Sequence, residues 1–369
     1  MNIEQIELIH IRMPLVSPFE TSFGVTRERE CLIVRALAGG AEGWGECVAD
    51  AHPGYSYETV TTARHLLRDY LAPALLAAPV DDPRDLPARF APVRGHPMAK
   101  AALEAAAWDL AAQQAGRSLR ECLGGVRERV PVGVSIGIQA SPASLAETAA
   151  RYRAQGYRRI KIKIKPGRDL EDARAARAAL GDTPLMVDAN SAYTLADAGL
   201  FQNMDDLGLL MIEQPLGYDD IHEHSQLQPL LRTPLCLDES IHSAGDARFA
   251  IAVGACRIIN IKQGRVGGLT NAVALHDACR ERGVPVWCGG MLETGIGRAL
   301  NVALASLPNF TLPGDLSASN RYYAEDLIDP PFELNADGTL SVPTGPGLGV
   351  RVSARRLERV TLNRETVRP

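Results

Sequence analysis

Leu185-Met186-Val187-Asp188 is a short apolar run that stops on a carboxylate, and the same form repeats along the middle of the chain. Arg159–Ile164, which carries Lys161 and Lys163, precedes it. Leu209–Glu213, Leu235–Asp238 and Ile258–Lys262 follow, each ending on a charged residue. Lys163, Asp188, Glu213 and Asp238 stand 25 residues apart, and Lys262 comes 24 further on. One strand with its crossover helix takes about this length in a barrel of about 250 residues. Helical patterns at Ser141–Gln155, Leu170–Leu180 and Ala244–Val253 fill the intervals. Further strands expected at Val130–Ile138, Val284–Cys288 and Phe310–Leu312 bring the series to eight β-then-α units. Parallel strands need such crossovers, and eight is the number that closes a barrel. The expected fold is an α/β barrel of the TIM type.

Outward from the barrel the pattern changes. The first fifty residues read as strands at Ile3–Met13, Glu30–Leu37 and Gly43–Val48, with Pro14–Val25 as a loop. Helical patterns follow at Tyr57–Tyr70, ending before Pro73, and at Met98–Ala115, ending at Gly116. Strands and then helices predict an α+β capping domain over 1–125, ahead of a barrel over 126–325. The tail, 326–369, is rich in Gly and Pro and is expected to return to the capping domain.

Composition narrows the class. The chain has 369 residues, 46% hydrophobic and 22% charged, which suffices for a sizeable core. A net charge of −5, with no basic stripe, argues against nucleic acid as a partner. No apolar run is long enough for a bilayer, and no signal-peptide pattern opens the chain, so a cytoplasmic protein off the membrane is expected. Seven scattered cysteines with no C-x-x-C pair suit buried thiols in a reducing compartment and give a thiolate zinc site no support.

Charges at the carboxyl ends of successive parallel strands point into one mouth of a barrel, where barrel enzymes keep their active sites. Asp188, Glu213 and Asp238 converging there would repel one another without a cation among them. An all-oxygen set predicts Mg²⁺ or Mn²⁺ rather than zinc. Lys163 and Lys262 flank that position, and a lysine made neutral by burial and nearby positive charge can serve as a base. The combination predicts removal of a proton α to a carboxylate and stabilisation of the resulting enolate. Lys161 shares the strand face of Lys163, so spacing leaves open which of the two is the base. Lys165, beside Pro166-Gly167, is expected in a loop.

These segments resemble the muconate-lactonising-like subgroup of the enolase superfamily. The resemblance runs through Lys161-Ile162-Lys163, Val187-Asp188-Ala189-Asn190, Ile212-Glu213-Gln214-Pro215, Leu237-Asp238-Glu239-Ser240 and Asn260-Ile261-Lys262, and covers essentially the whole chain. It implies metal ligation by Asp188, Glu213 and Asp238, catalysis by Lys163 and Lys262, and supporting roles for Lys161, Asn190 and Glu239. A modified (β/α)7–8 barrel with a capping domain, and a homo-oligomer, are implied as well. More narrowly the chain resembles the o-succinylbenzoate synthase and N-acyl- or N-succinylamino acid racemase group. That likeness runs through Pro18–Gly24, Gly133–Ile138, Gly264–Gly268, Pro285–Met291, Glu293-Thr294-Gly295, Pro313-Gly314-Asp315 and Pro346–Val350. By it, Phe19, Ser22, Phe23 and Tyr55 line or lid a pocket for a small carboxylate, with Ser135, Gly290 and Met291 from the barrel. Arg265 resembles a position associated with the racemase branch, tuning Lys262 through its charge. Asp50 departs from the apolar contact expected near that loop.

Other readings use the same residues differently. Gly133-x-Ser135-x-Gly137 matches a nucleophile-elbow pattern, but it lies inside an alternating strand and no His ends a later strand. A dipeptide epimerase or an acid-sugar dehydratase would share the fold. The dehydratase branch would place a His at strand seven, where this chain has Cys288-Gly289-Gly290. A non-catalytic binding protein on this barrel would be expected to have lost some of the five charged positions, and all five are present.

Overall fold

The computed structural model describes every residue, Met1–Pro369. Near the N-terminus β1 (Gln5–Thr21), β2 (Gly24–Ala38) and β3 (Ala41–Cys47) form an antiparallel meander. The segment Pro14–Val25 is therefore not a loop: the strands run almost to the tip at Ser22-Phe23. Pro14 and Pro18 cannot donate to the ladder, and a register shift between Pro14 and Phe19 takes them up before pairing resumes at Phe19 and Thr26. The first helical region also overruns its expected end. Val60–Leu66 passes through a widened turn, Leu67–Leu71, into Ala72–Leu76. There the Ala72 N–H bonds to Leu67 O, five residues back. Pro73, with no N–H of its own, then sits in the first turn of the next segment and breaks nothing.

The sheet packs on α1 (Pro97–Gln114). A Cβ at Gly43 would collide with Ala106 O and one at Gly45 with Ala102 O, so the strand and helix backbones touch because those positions are glycine.

The barrel alternates β4 (Val134–Ile136), α2 (Pro142–Ala154), β5 (Ile160–Lys163), α3 (Leu170–Leu180), β6 (Leu185–Asp188) and α4 (Ala198–Met204). It continues with β7 (Ile212–Glu213), α5 (His222–Leu227), β8 (Leu235–Leu237), α6 (Ala244–Ala252), β9 (Ile258–Ile261), α7 (Leu269–Arg280), β10 (Val286–Cys288) and α8 (Gly295–Ala305). The seven strands are parallel and lie in chain order. Phe310–Leu312 does not form an eighth ladder. Instead single bridges, Val286 to Phe310 and Gly314 to Val132, close the ring, with Pro313 between them. The first expected strand, Val130–Ile138, divides in two: Arg129–Pro131 pairs with Thr339–Ser341, and only Val134–Ile136 joins the barrel. After the barrel the chain returns, and β11 (Thr361–Val367) pairs antiparallel with the free edge of β1.

Buried carboxylates from the capping region hold the two parts together at helix N-termini. Glu46 of β3 accepts from Thr294 N (3.1 Å), Thr294 Oγ1 (2.7 Å) and Gly297 N (3.0 Å) at the start of α8. Glu104 of α1 accepts from the N–H groups of Leu269 and Thr270 at the start of α7. These backbone donors have no intrahelical partner, so the carboxylates satisfy them and complement the helix dipole.

Candidate active site

Lys161 and Lys163 alternate along β5 onto one face, Asp188 and Glu213 end β6 and β7, and Asp238 and Lys262 follow β8 and β9 directly. All six are buried. The spacing thus brings them to one end of the barrel, where their ion pairs form two groups, one of Lys163, Asp188, Lys161 and Glu213 and one of Asp238 and Lys262. Lys163 Nζ reaches Asp188 Oδ2 (2.6 Å) and Asn190 Oδ1 (2.7 Å). Lys161 Nζ sits among three carboxylates: Asp188 (3.0 Å), Glu213 (2.9 Å) and Asp315 (2.6 Å). Lys262 Nζ meets Asp238 Oδ2 at 2.7 Å and donates to the Tyr55 hydroxyl at 3.0 Å, and that hydroxyl donates to Asp238 Oδ1 at 3.0 Å.

The carboxylates do not close on a single point. Asp188 and Glu213 lie within hydrogen-bonding reach of each other, whereas Asp238 is turned to Arg265 and Lys262. The reason is local charge: Arg265 Nη1 ion-pairs with Asp238 while its Nε donates to Ile241 O at 2.7 Å, which fixes the guanidinium beneath that carboxylate. The expected influence of Arg265 on Lys262 therefore runs through the aspartate they share.

Electrostatics differ between the two lysines. Burial, helped by the charge of Lys161, pushes the Lys163 ammonium below its ordinary value despite Asp188. Burial alone would lower Lys262 too, but Tyr55, Glu239 and Glu213 outweigh it and hold that ammonium well above its usual range. Asp315, Glu213 and Asp188 likewise overcome burial at Lys161. Glu213 is pushed up to about 7 by burial and by the charge of Asp188.

The residues present fit a hard divalent cation. Two fully buried carboxylates so close together favour a cation beside them, and the Lys161 ammonium already bridges the pair as a stand-in. Glu239 Oε2 and Asn260 Oδ1 nearby are buried without a partner.

One cavity opens above these groups. Phe19, Phe23, Tyr55, Ser135, Lys161, Lys163, Asn190, Lys262, Gly290 and Met291 line it. Ser22 does not: its hydroxyl donates to Asn190 O (3.3 Å), and from the hairpin tip it faces a neighbouring recess with Tyr218 and Glu239. Lys165 lies in the loop after β5, as expected, and there its Nζ meets Glu20 Oε1 at 2.8 Å and pins the β1–β2 hairpin to the barrel. Asp50 lines the cavity, ion-paired to the buried Arg29. Sequence reasoning passed over Thr26, Leu292 and Tyr322 on the cavity wall; it gave no role to Thr21, or to Asn260, whose Nδ2 donates to Glu213 Oε1 at 2.8 Å, although both lie in motifs that carry the resemblance. It quoted Asp315 only as part of a motif, although Asp315 bonds Arg159 Nη1 (2.7 Å) as well as Lys161. Its place after a strand that never forms a ladder removed the strand-end signal that marked the others.

Comparison with known proteins gives a consistent answer. Residues 4–124 match the mandelate racemase / muconate lactonizing enzyme N-terminal domain, and residues 144–356 match the enolase C-terminal domain-like family. An o-succinylbenzoate synthase of Geobacillus kaustophilus is 54% identical over 98% of this chain and 96% of its own length. An N-succinylamino acid racemase of an Amycolatopsis species is 52% identical over 98% of each chain. The crystal structure of an enolase-superfamily member from Listeria innocua superposes with a TM-score of 0.96 at 41% identity, covering 100% of this chain and 99% of that one. With both halves of the fold and the whole length matched, the chain belongs to the mandelate racemase / muconate lactonizing enzyme family of the enolase superfamily.

Proposed function

We propose that this protein is an Mg²⁺-dependent enzyme that removes a proton α to a carboxylate, acting as an o-succinylbenzoate synthase and as an N-succinylamino acid racemase. One observation carries the reading: Lys163 and Lys262, from the second and sixth barrel strands, open onto the same cavity, and the strand ends between them carry Asp188, Glu213 and Asp238. Asp188 and Glu213 would hold the metal, and Asp238 would complete the set by turning from its ion pair with Arg265. Bound there, it supplies positive charge against the negative charge left on the substrate carboxylate when the proton departs. Lys163, depressed by burial, takes the α-proton on one face. Lys262, held as an ammonium by Tyr55 and its acidic neighbours, stabilises charge or returns a proton on the other. In the synthase reaction a hydroxyl leaves after proton removal; in the racemase reaction the two lysines exchange roles.

The cavity wall favours an acylated amine over a free one. Its two carboxylates outside the proposed metal set are committed, Asp50 to Arg29 and Asp315 to Arg159 and Lys161. An unsubstituted ammonium group, as in a dipeptide, would compete for partners already taken.

Incubation with Mg²⁺ in deuterated water tests the reading. The substrates are 2-succinyl-6-hydroxy-2,4-cyclohexadiene-1-carboxylate and, separately, N-succinyl-phenylalanine. Turnover of both, with deuterium entering the α-position of the amino acid, is expected. Turnover of the first alone would remove the racemase half.

A further inference from the structure

Five arginines are buried: Arg29, Arg159, Arg265, Arg298 and Arg321. Three have a carboxylate partner, namely Asp50, Asp315 and Asp238. Arg298 and Arg321 have none, and both lie against the same ring. The Arg321 guanidinium is 4.9 Å from the Tyr322 centroid and that of Arg298 is 6.0 Å away. Their Nε atoms are buried without any partner. What they do contact is carbonyl oxygen and π-face. Arg321 Nη2 donates to Ser135 O at 2.8 Å and its guanidinium lies 5.8 Å from the Phe19 ring; Arg298 donates to Ser317 O and to Glu293 O.

Phe19, Ser135 and Tyr322 all line the cavity above the lysines. The two unpaired cations thus stand directly behind one end of that cavity, and the Ser135 hydroxyl there is buried and has no hydrogen-bond partner. Buried charge without a counter-charge is costly, and at low dielectric its field reaches several ångströms. An anion entering this end supplies the missing charge, with a free hydroxyl to contact.

We propose that Arg298 and Arg321 are specificity-determining residues that make this end of the cavity select an acyl tail ending in a carboxylate. The inference rests on the N-acylamino acid reading of the site and adds the residues that choose the acyl group. Ser135 is the contact. The arginines act through the cavity wall, as positioning residues and as a fixed field.

The test compares N-succinyl-phenylalanine with its succinamoyl analogue, in which an amide replaces the terminal carboxylate at nearly equal size. The parent enzyme is expected to show at least about a tenfold higher kcat/KM for the carboxylate. Arg321→Met should lower that ratio about tenfold, mainly through KM, and Arg321→Lys should restore part of it because the charge returns. Arg298→Met gives an independent reading should the first variant fold poorly. A ratio near one in the parent, or equal losses on both substrates in the variants, overturns the inference. If the parent turns over neither compound, it is the functional reading that falls, and with it this assignment.

Discussion

Gly289 stands against Lys262: a Cβ at position 289 would lie 2.6 Å from Lys262 Cε and would also collide with the Asn260 amide. The lysine therefore reaches the cavity across a backbone that carries no side chain. Gly289→Ala should push the Lys262 side chain away from Asp238 and Tyr55 while leaving Lys163 untouched. We expect racemisation to fall by about a hundredfold, in line with the effect of a misplacement of about 1 Å in a reacting group. α-Proton exchange from the enantiomer served by Lys163 should persist. Equal loss of exchange from both enantiomers would contradict this separation.

Asp315 is the hub of a second network, taking Lys161 with one oxygen and Arg159 with the other. Asp315→Asn keeps the size and removes the charge that helps hold Lys161 as a cation. Breaking a buried ion pair from one side costs about 3–5 kcal/mol. A melting temperature lowered by several degrees is expected, together with reduced activity. An unchanged melt and unchanged turnover would mean that Lys161 is held by Asp188 and Glu213 alone.

Stability should depend on pH through Glu104, whose carboxyl is pushed up to about 7 by burial although it caps α7. A carboxyl raised in the folded state contributes stability that is fully present below the unfolded value near 4.5 and is lost as pH rises through about 7. Between pH ~6 and ~8 the loss from this group is on the order of 1 kcal/mol. Denaturant titrations at those two pH values should show the parent less stable at the higher one. Glu104→Gln should narrow the gap between them. A gap of the same size in the variant would place the titration elsewhere, with Glu58, also raised to about 7, as the next group to replace.

Chelation gives a further check on the proposed metal site. Removal of divalent metal should abolish deuterium exchange, and Mg²⁺ or Mn²⁺ should restore it. Asp188→Asn should raise the concentration of metal needed by at least tenfold. Restoration at the parent's metal concentration would take Asp188 out of the ligand set.

Much of the barrel was legible because its code is local and repeated. An apolar run ending on Asp188 predicts both a strand and the direction of the charge that follows it, and the 25-residue period then finds the others. The failures lie where the chain's geometry depends on distant partners. Pro14 and Pro18 looked like loop residues because a strand-interior proline costs a ladder bond, and a register shift that spares the bond leaves no local mark. Phe310–Leu312 is apolar enough for a strand, yet it makes only single bridges before Pro313 turns the chain. At the site, residue types announced a cation but could not show that Arg265 would ion-pair with Asp238. That outcome depends on where a guanidinium is fixed by Ile241 O, a contact 24 residues away in sequence.

The pairing of β11 with β1 has a consequence for the order in which the molecule is made. Strand Thr361–Val367 is separated from its partner by the entire barrel, so β1 must wait through the synthesis of all seven parallel strands with one edge unpaired. An open edge is a template for another chain, and translation at about 5–20 residues per second leaves it exposed for tens of seconds. Glu7 lies on the stretch of β1 that β11 later pairs with and ends in an ion pair with Arg364, the kind of charged side chain that keeps waiting strands apart. Crowded expression is therefore most dangerous to this protein before its last strand arrives, and slow translation of the barrel should cost yield rather than activity.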